Sequence, residues 1–345
     1  MTEEHKEVNS QNDAEITPAR NYEDLDKRLK DLPVTYEKSL SLGTVHEEDV
    51  LKLFPDKKVI VCDFGFDEIT QGEELPFGFQ KGNILNIDHH AHTPRMEKFI
   101  SSTNLAIEYV NLNGTEASKD DIVLINHCDT DSVLSSSIIR GLLQPEERFG
   151  RSAIAADHTG EADPIADLLQ SIQEEKDLEF SFRNLSLLLL DRELEPRAQE
   201  LLSSRLAERE ACREIVESGK IRLLNDGKLA YAVLDHELSE SAFLPALLPS
   251  SMLIVMFMPY DKDESGKDIW RVRMRAGSNI PPGFSIKKLG LNEVDPNFGG
   301  RWNSGANTRF SPDNKPPRGT DQNPDEYMAK ISEKLLNYLN NSTQN

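Results

Sequence analysis

The sequence lacks several features that would assign it to a class of protein at once. No apolar run in its 345 residues approaches the roughly 20 residues that a membrane-spanning helix needs. Residues 1–12 are largely polar or charged where a signal peptide would be hydrophobic, so we expect no secretion by that route. A cytoplasmic protein without a membrane partner is therefore expected.

Cysteine is also scarce. The three cysteines, Cys62, Cys128 and Cys212, include no CxxC pair. Disulfide frameworks use even numbers of cysteines and thiolate zinc sites use closely spaced pairs, so neither is predicted. Cys62 and Cys128 stand beside candidate site residues, but we expect both to be small buried packing residues rather than nucleophiles.

Basic residues are in deficit. There are 39 Lys and Arg against 60 Asp and Glu, which gives a formal net charge of −21. A protein of this charge repels polyanions and lacks the basic footprint of a duplex binder, so duplex nucleic acid is excluded as a partner. Any phosphate-bearing substrate is expected to be small. Composition leaves a homo-oligomer open.

Short apolar runs in the first half of the chain end at polar residues. They are KKVIVC (57–62) before Asp63, NILNI (83–87) before Asp88, IVLIN (122–126) before His127, and SAIAA (152–156) before Asp157. Helical stretches at 105–112 and 132–143 separate them, which predicts an α/β fold with a mostly parallel sheet and flanking helices. Ligands of such sheets lie outside the carboxyl ends of the strands, so the polar residues are expected to converge there.

The second half of the chain changes character. Runs at 221–235, interrupted by an Asn225-Asp226-Gly227 turn, and at 252–259 predict strands, and WRVRMRAG (270–277) alternates basic and apolar residues. A second, smaller α/β domain is therefore predicted. The predicted organisation is a disordered tail (1–20), a metal-binding catalytic domain (21–165), a helical bridge (166–219), a substrate domain (220–312), and a polar segment with a terminal helix (313–345).

The polar residues at the predicted strand ends form a set that suits a metal ion. They are Asp63, the run Asp88-His89-His90, the run His127-Cys128-Asp129-Thr130-Asp131, and Asp157. A lone Asp at a strand end is usually a turn or cap former. Together, hard carboxylate oxygens and imidazoles favour Mn²⁺ or Mg²⁺ over zinc. His92 and His158 are left open between an auxiliary role at this site and ordinary surface histidines.

These motifs resemble those of a known family. IDHHAHTP resembles the motif that names the DHH phosphoesterases, and HCDTDSVLSS resembles their DxD metal motif. IVCDFG and AIAADHTGEADP resemble the first and last metal-binding Asp motifs of the RecJ-like catalytic domain, so the resemblance covers residues 58–165. The DxD motif follows DHH here, whereas in the family it usually comes first.

The resemblance implies a role for each residue. Asp63 would bridge two Mn²⁺ or Mg²⁺ ions, with His127 and Asp129 on one and Asp131, His89 and Asp157 on the other. His90 would face the substrate phosphate, and Asp88 would orient an imidazole. Two such cations lower the pKa of a bridging water and hold phosphoryl oxygens, so the implied reaction is attack of water on phosphorus.

A glycine-rich segment in the second half resembles the substrate loop of the accessory domain called DHHA1. Phe298-Gly299-Gly300-Arg301-Trp302 carries an Arg where the family usually has His. Glycines permit close approach of an anion, and arginines can bind phosphate through two hydrogen bonds. The alternative is a solubilising basic edge strand. The predicted substrate-binding residues are Gly299, Gly300, Arg301, Arg273, Arg275 and Arg309, with Arg271 on the same strand face as Arg273 and Arg275.

The sequence thus predicts a metal-dependent phosphoesterase that hydrolyses a small, nucleotide-like phosphorylated substrate. One alternative is an exonuclease for single strands or short oligonucleotides, which would need a basic groove with stacking aromatics. A second alternative is a binding or regulatory homologue without activity. Metal content would distinguish that last class from an enzyme.

Overall fold

A computed structural model describes residue 22 and residues 25–41, 44–66, 68–91, 93–238, 242–262, 265–308 and 319–342. The predicted disordered tail at 1–20 lies outside these residues, as do His92 and Arg309. None of the described helices combines the length and the apolar composition of a membrane-spanning segment.

Helices and strands alternate through most of the chain. The helices are α1 (Leu25–Asp31), α2 (Glu47–Leu53), α3 (Ser102–Asn113), α4 (Thr130–Ile139), α5 (Glu147–Ile154), α6 (Pro164–Ile172), α7 (Leu178–Leu189), α8 (Pro196–Glu217), α9 (Leu244–Leu247) and α10 (Pro324–Ser342). The strands are β1 (Thr35–Tyr36), β2 (Val59–Cys62), β3 (Glu73–Leu75), β4 (Gly78–Lys81), β5 (Ile84–Ile87), β6 (Ile122–Ile125), β7 (Arg222–Leu224), β8 (Leu229–Val233), β9 (Leu253–Lys262), β10 (Asp268–Ala276), β11 (Gly299–Gly300) and β12 (Ser304–Ala306).

The first sheet is the one that positions the candidate site. Its strand order is β1-β6-β2-β5-β4-β3. The strands β1, β6, β2 and β5 run parallel to one another, whereas β4 is antiparallel to β5 and β3 is antiparallel to β4. Every residue of β2 is buried, as expected for a central strand covered by helices on both faces. The α/β fold with a mostly parallel sheet and flanking helices is thereby confirmed.

The second sheet has the order β11-β12-β10-β9-β8-β7 and is antiparallel except where β8 runs parallel to β9. One face packs on α10 through Tyr327, Ile331 and Leu335. The other face packs on Cys212 and Ile215 of α8 and on Phe243. The predicted turn at Asn225-Asp226-Gly227 joins β7 to β8 with φ values of 53°, 54° and 83°, as a tight hairpin requires.

One predicted strand was wrong. Residues 152–156 belong to α5 and to the π-helical turn that continues it, Ala155–Thr159, so Asp157 lies on a helical turn and not at a strand end. A short apolar run rich in Ala fits a buried helix as well as a strand, and periodicity alone does not separate the two. Gly160 ends the turn with φ 68°, and a Cβ there would lie 1.9 Å from the carbonyl oxygen of Ala242.

The helical bridge predicted at 166–219 corresponds to α6, α7 and α8, which lie between the two sheets in the chain. The predicted terminal helix lies at α10. The domain boundaries themselves stay a prediction.

Candidate metal centre

Three of the sequence motifs meet at one edge of the first sheet. Asp63 comes directly after β2, and Asp88-His89-His90 comes directly after β5. One residue separates His127 from the end of β6. Because β6, β2 and β5 are neighbouring parallel strands, their carboxyl ends bring these residues together. The π-helical turn adds Asp157, and Asp129 and Asp131 come from the start of α4.

Asp63 lies at the middle of the cluster. It is 1% exposed and has a φ of 62°, an uncommon backbone conformation that its neighbours must hold. Ser102 Oγ donates to its Oδ1 at 2.9 Å and Ser132 Oγ donates to its Oδ2 at 2.9 Å. Oδ1 lies 3.8 Å from His89 Nε2, and Oδ2 lies 3.2 Å from His127 Nε2. Each carboxylate oxygen therefore faces a different imidazole.

His89 presents one ring nitrogen to the carboxylates of the cluster. Its Nδ1–H donates to the carbonyl oxygen of Ile100 at 2.8 Å, so Nε2 is the nitrogen that faces the cluster. Nε2 is buried, has no hydrogen-bond partner among the described residues, and lies 3.2 Å from Asp157 Oδ2 and 3.8 Å from Asp131 Oδ2. A buried ring nitrogen that faces carboxylates fits a cation between them, so these residues suit a metal.

His127 has the same arrangement on the other side of Asp63. Asn126 Oδ1 accepts from its Nδ1–H at 2.5 Å, and its Nε2 lies 3.2 Å from Asp129 Oδ2. Asp129 also caps α4, since its Oδ1 accepts from the Ser132 amide at 3.0 Å. Within the described part of the chain, the ligand atoms fall into three overlapping groups: Asp63 with His127 and Asp129, Asp63 with His89 and His90, and His89 with Asp157 and His158.

The electrostatics of the cluster show an excess of negative charge. Burial alone would lower the pKa values of both imidazoles, but the carboxylates beside them raise the pKa of His127 to about 12 and that of His89 to about 10. Burial and the charges of Asp131 and Asp129 hold the pKa of Asp63 well above its usual value. Without a cation, protons on the imidazoles offset this charge, which is the charge that a metal ion would offset.

Asp131 has a contact set that the sequence did not indicate. Its two carboxylate oxygens accept from the Ser102 and Thr103 amides at 2.7 Å each, and from Thr103 Oγ1 at 2.5 Å. These amides belong to the first turn of α3 and have no partner within the helix. Asp131 stands outside the three ligand groups while its Oδ2 is within 3.8 Å of His89 Nε2. Its predicted role as a ligand stays a prediction.

The α3 contact gives a testable expectation for stability. Asp131→Ala and Asp131→Asn both remove the carboxylate charge, but only Asp131→Asn keeps an acceptor oxygen for one of the two buried backbone amides. In the presence of EDTA, Asp131→Ala is expected to be less stable than Asp131→Asn by about 1–2 kcal/mol. Urea unfolding measures the difference. Equal stabilities of the two variants would show that Asp131 does not hold α3.

His158 is not a surface histidine, which excludes one of the two interpretations left open for it. It is 4% exposed, and burial together with the nearby His89 lowers its pKa to about 3, so the ring is neutral. Its Nε2–H donates to the Ile100 carbonyl at 2.8 Å, and its Nδ1 accepts from Asn303 Nδ2 at 2.7 Å. With both nitrogens occupied, His158 is a poor metal ligand despite its position.

His90 and Asp88 form a chain that reaches the second half of the protein. Asp88 Oδ1 accepts from His90 Nδ1–H at 2.7 Å, so the prediction that Asp88 orients an imidazole agrees with the contact. Burial alone would raise the pKa of Asp88, but the His90 imidazole lowers it below its usual value. Arg301 Nη1 donates to His90 Nε2. The glycine-rich loop thereby contacts the metal centre.

The other predicted substrate-binding residues lie differently. Arg273 donates to the Leu238 carbonyl at 3.0 Å and pairs with Glu237. Arg301 lines two cavities beside the metal centre, whereas Arg273 and Arg275 are not among the described residues that line these two. A Cβ on Gly300 would lie 2.2 Å from the Ser304 carbonyl oxygen. The close approach of β11 and β12 therefore requires glycine at this position. Gly299 pairs with Ala306 in that hairpin.

Several residues of the site were missed from the sequence. The hydroxyl groups of Ser102, Thr103 and Ser132 hold the carboxylates, and Asn303 holds His158. The run SSTN (101–104) at the start of α3 carries a signal for the first two, since Ser and Thr are typical of helix starts. No local pattern predicts the contact between Asn303 and His158.

The solved structures that the chain resembles are remote. The pGpG-specific phosphodiesterase PggH from Vibrio cholerae is 10% identical, with a TM-score of 0.39, and the match covers 70% of this chain and 97% of that one. An exopolyphosphatase-related protein from Bacteroides fragilis is 14% identical, with a TM-score of 0.37 and coverage of 85% and 75%. Exonuclease RecJ bound to manganese is 12% identical, with a TM-score of 0.37 and coverage of 86% and 80%.

All three are members of the DHH superfamily, which is the family that the sequence motifs resemble. No family model matches the sequence, and no curated protein matches it. At such low identities and TM-scores the matches transfer no activity or substrate to this chain. The function has to be argued from the geometry of the site.

Proposed function

We propose that the protein is a divalent-metal-dependent phosphoesterase that uses Mn²⁺ or Mg²⁺. The observation that carries the proposal is the position of Asp63, whose two carboxylate oxygens face two separate imidazoles, each with a further aspartate 3.2 Å away. His127 and Asp129 would hold one cation, and His89 and Asp157 would hold the other, with Asp131 in reach of the second. Asp63 would serve both.

Bound cations in such a pair supply a water of lowered pKa and neutralise charge on the phosphoryl oxygens. The side chains of this protein keep the ligands in place. The Ile100 carbonyl and Asn126 Oδ1 each accept from the Nδ1–H of His89 and His127, so Nε2 is the nitrogen that each ring would offer to a cation. Ser102 and Ser132 fix the rotation of the Asp63 carboxylate.

His90 and Arg301 are the groups placed to contact a substrate. His90 is partly exposed and both residues line the two cavities beside the centre. Arg301 supplies hydrogen-bond donors and positive charge, which suits a phosphate oxygen. We propose a small, nucleotide-like phosphorylated substrate. One of these cavities also carries Val45, Phe66 and Ile69, an apolar wall that suits a base or sugar and not a chain of phosphates alone.

The proposal predicts a strict requirement for metal. After dialysis against EDTA, release of phosphate from a panel of nucleotides and phosphate esters is expected to stop, and Mn²⁺ or Mg²⁺ should restore it. Metal content measured on the same samples links the two observations. Undiminished turnover in metal-free protein would contradict the proposal, and a protein that binds metal but hydrolyses nothing would favour the binding homologue.

A further inference from the structure

The cavity above the metal centre, here called the loop cavity, is built from both halves of the chain. It is lined by His89, His90, Ala91, Glu97 and His158 from the first half and by Lys287, Arg301, Trp302 and Asn303 from the second. Trp302 packs against His158 and Phe99 with ring centroids 5.6 Å apart in both cases. Among these lining residues, Asn303 has a side-chain amide whose orientation is fixed by a hydrogen bond.

A chain of hydrogen bonds fixes that orientation. The Ile100 carbonyl oxygen can only accept, so the Nε2 of His158 must carry the proton. The other ring nitrogen, Nδ1, lies 2.7 Å from Asn303 Nδ2, which donates to it. The donor end of the Asn303 amide is therefore turned toward His158.

The amide oxygen of Asn303 is left over by this arrangement. Oδ1 is buried in a residue that is 5% exposed, and it has no hydrogen-bond partner among the described residues. Buried carbonyl oxygens are rarely left unpaired, and those that are usually serve a ligand or an ordered water. The Asn303 amide cannot turn over to pair Oδ1, because Nδ2 would then lose its hydrogen bond to His158 and Oδ1 would face the acceptor Nδ1.

We propose that Asn303 is a specificity-determining residue, whose Oδ1 accepts a hydrogen bond from a hydroxyl or amino group of the substrate. This inference rests on the proposed phosphoesterase function and narrows it to phosphate esters that carry a donor near the reacting phosphate. Lys287 and Arg301 line the same cavity and suit the phosphate oxygens. An inorganic polyphosphate complexed with metal presents acceptor oxygens only, so Oδ1 would stay unpaired against it.

The test compares two substrates on the Mn²⁺-loaded full chain: a 5′-phosphorylated diribonucleotide, rich in donors, and tripolyphosphate, whose fully deprotonated metal complex has none. Asn303→Leu removes the acceptor at similar volume, and Asn303→Ala removes it with a smaller side chain in case the first variant folds poorly. Both are expected to lower kcat/KM for the dinucleotide about tenfold, the effect of one lost hydrogen bond, without lowering it for tripolyphosphate.

The control is Asn307→Ala. Asn307 is a buried amide that pairs with Val272 of β10 and with Asp295, and it is not among the described residues that line the loop cavity. It is expected to lower stability while the ratio of the two kcat/KM values is retained. An equal loss for both substrates in the Asn303 variants, or no loss in either, would overturn the proposal.

A binding measurement separates this inference from the proposed function. Trp302 lines the loop cavity, and Trp270→Phe leaves it as the sole tryptophan of the chain. If neither compound is hydrolysed, the proposed function fails, and the Kd ratio from Trp302 fluorescence still tests Asn303. A ratio that Asn303→Leu shifts about tenfold supports the acceptor role. An unchanged ratio, or no binding of the dinucleotide, overturns it.

Discussion

Asp63→Asn is expected to remove metal from both halves of the centre and to lower turnover by roughly a thousandfold or more. The reason is geometric, because the two oxygens of one carboxylate face His89 and His127 separately. An amide keeps the shape but offers a single neutral oxygen. Metal content, measured by mass spectrometry after gel filtration, and turnover with Mn²⁺ should fall together.

The stability of the metal-free protein is not expected to fall in the same variant. Burial and the charges of Asp131 and Asp129 disfavour the ionised Asp63, so the neutral amide should leave the metal-free protein as stable as before or more so. The rise in Tm that Mn²⁺ gives the unsubstituted protein should disappear. Asp177→Asn, at an Asp that caps α7, is the control and should keep both the Tm response and turnover.

An Asp63→Asn variant that retained its metal and its activity would show that the carboxylate is not shared by two cations. Loss of metal at only one position, with the other retained, would place Asp63 in a single ligand group. Both outcomes would require another bridging residue. Asp131 is the candidate then, since its Oδ2 lies near His89.

Much of this site could be predicted because its residues follow local patterns. Val59–Cys62, Ile84–Ile87 and Ile122–Ile125 are short apolar strands, and in parallel sheets their polar successors converge by topology alone. The alternation in 270–277 predicted β10 equally well, since period two places successive side chains on opposite faces.

What could not be predicted depends on contacts that are distant in sequence. His158 and Asn303 are 145 residues apart, and neither side chain signals the other. The antiparallel strands β3 and β4 were not predicted, because Glu73–Leu75 is polar and too short to show a period. Residues 152–156, which precede Asp157, were wrongly predicted as a strand, since SAIAA is apolar but too short to separate helix from strand.

The arginines illustrate the same limit. The sequence predicted Arg301 of the glycine-rich loop as a phosphate ligand and added Arg273 and Arg275 as further candidates, because they are basic residues on one face of a predicted strand. In the fold, Arg301 contacts His90 at the metal centre, whereas Arg273 is paired with Glu237. Substituting Arg301 and Arg273 separately therefore tests which of the two binds phosphate.

Arg301→Ala is expected to lower kcat/KM by about ten- to a hundredfold, the effect of one charge-assisted phosphate contact, with metal content unchanged. Arg273→Ala is the matched comparison and should have a smaller effect. If Arg301 binds phosphate equally in the ground and transition states, KM rises at constant kcat; if the contact tightens at the transition state, kcat falls. Arg301→Lys keeps the charge but loses the planar pair of donors, so it should recover only part of the loss. Steady-state kinetics on the three variants decide this, and equal losses for Arg301→Ala and Arg273→Ala would remove the reason to assign the phosphate to Arg301.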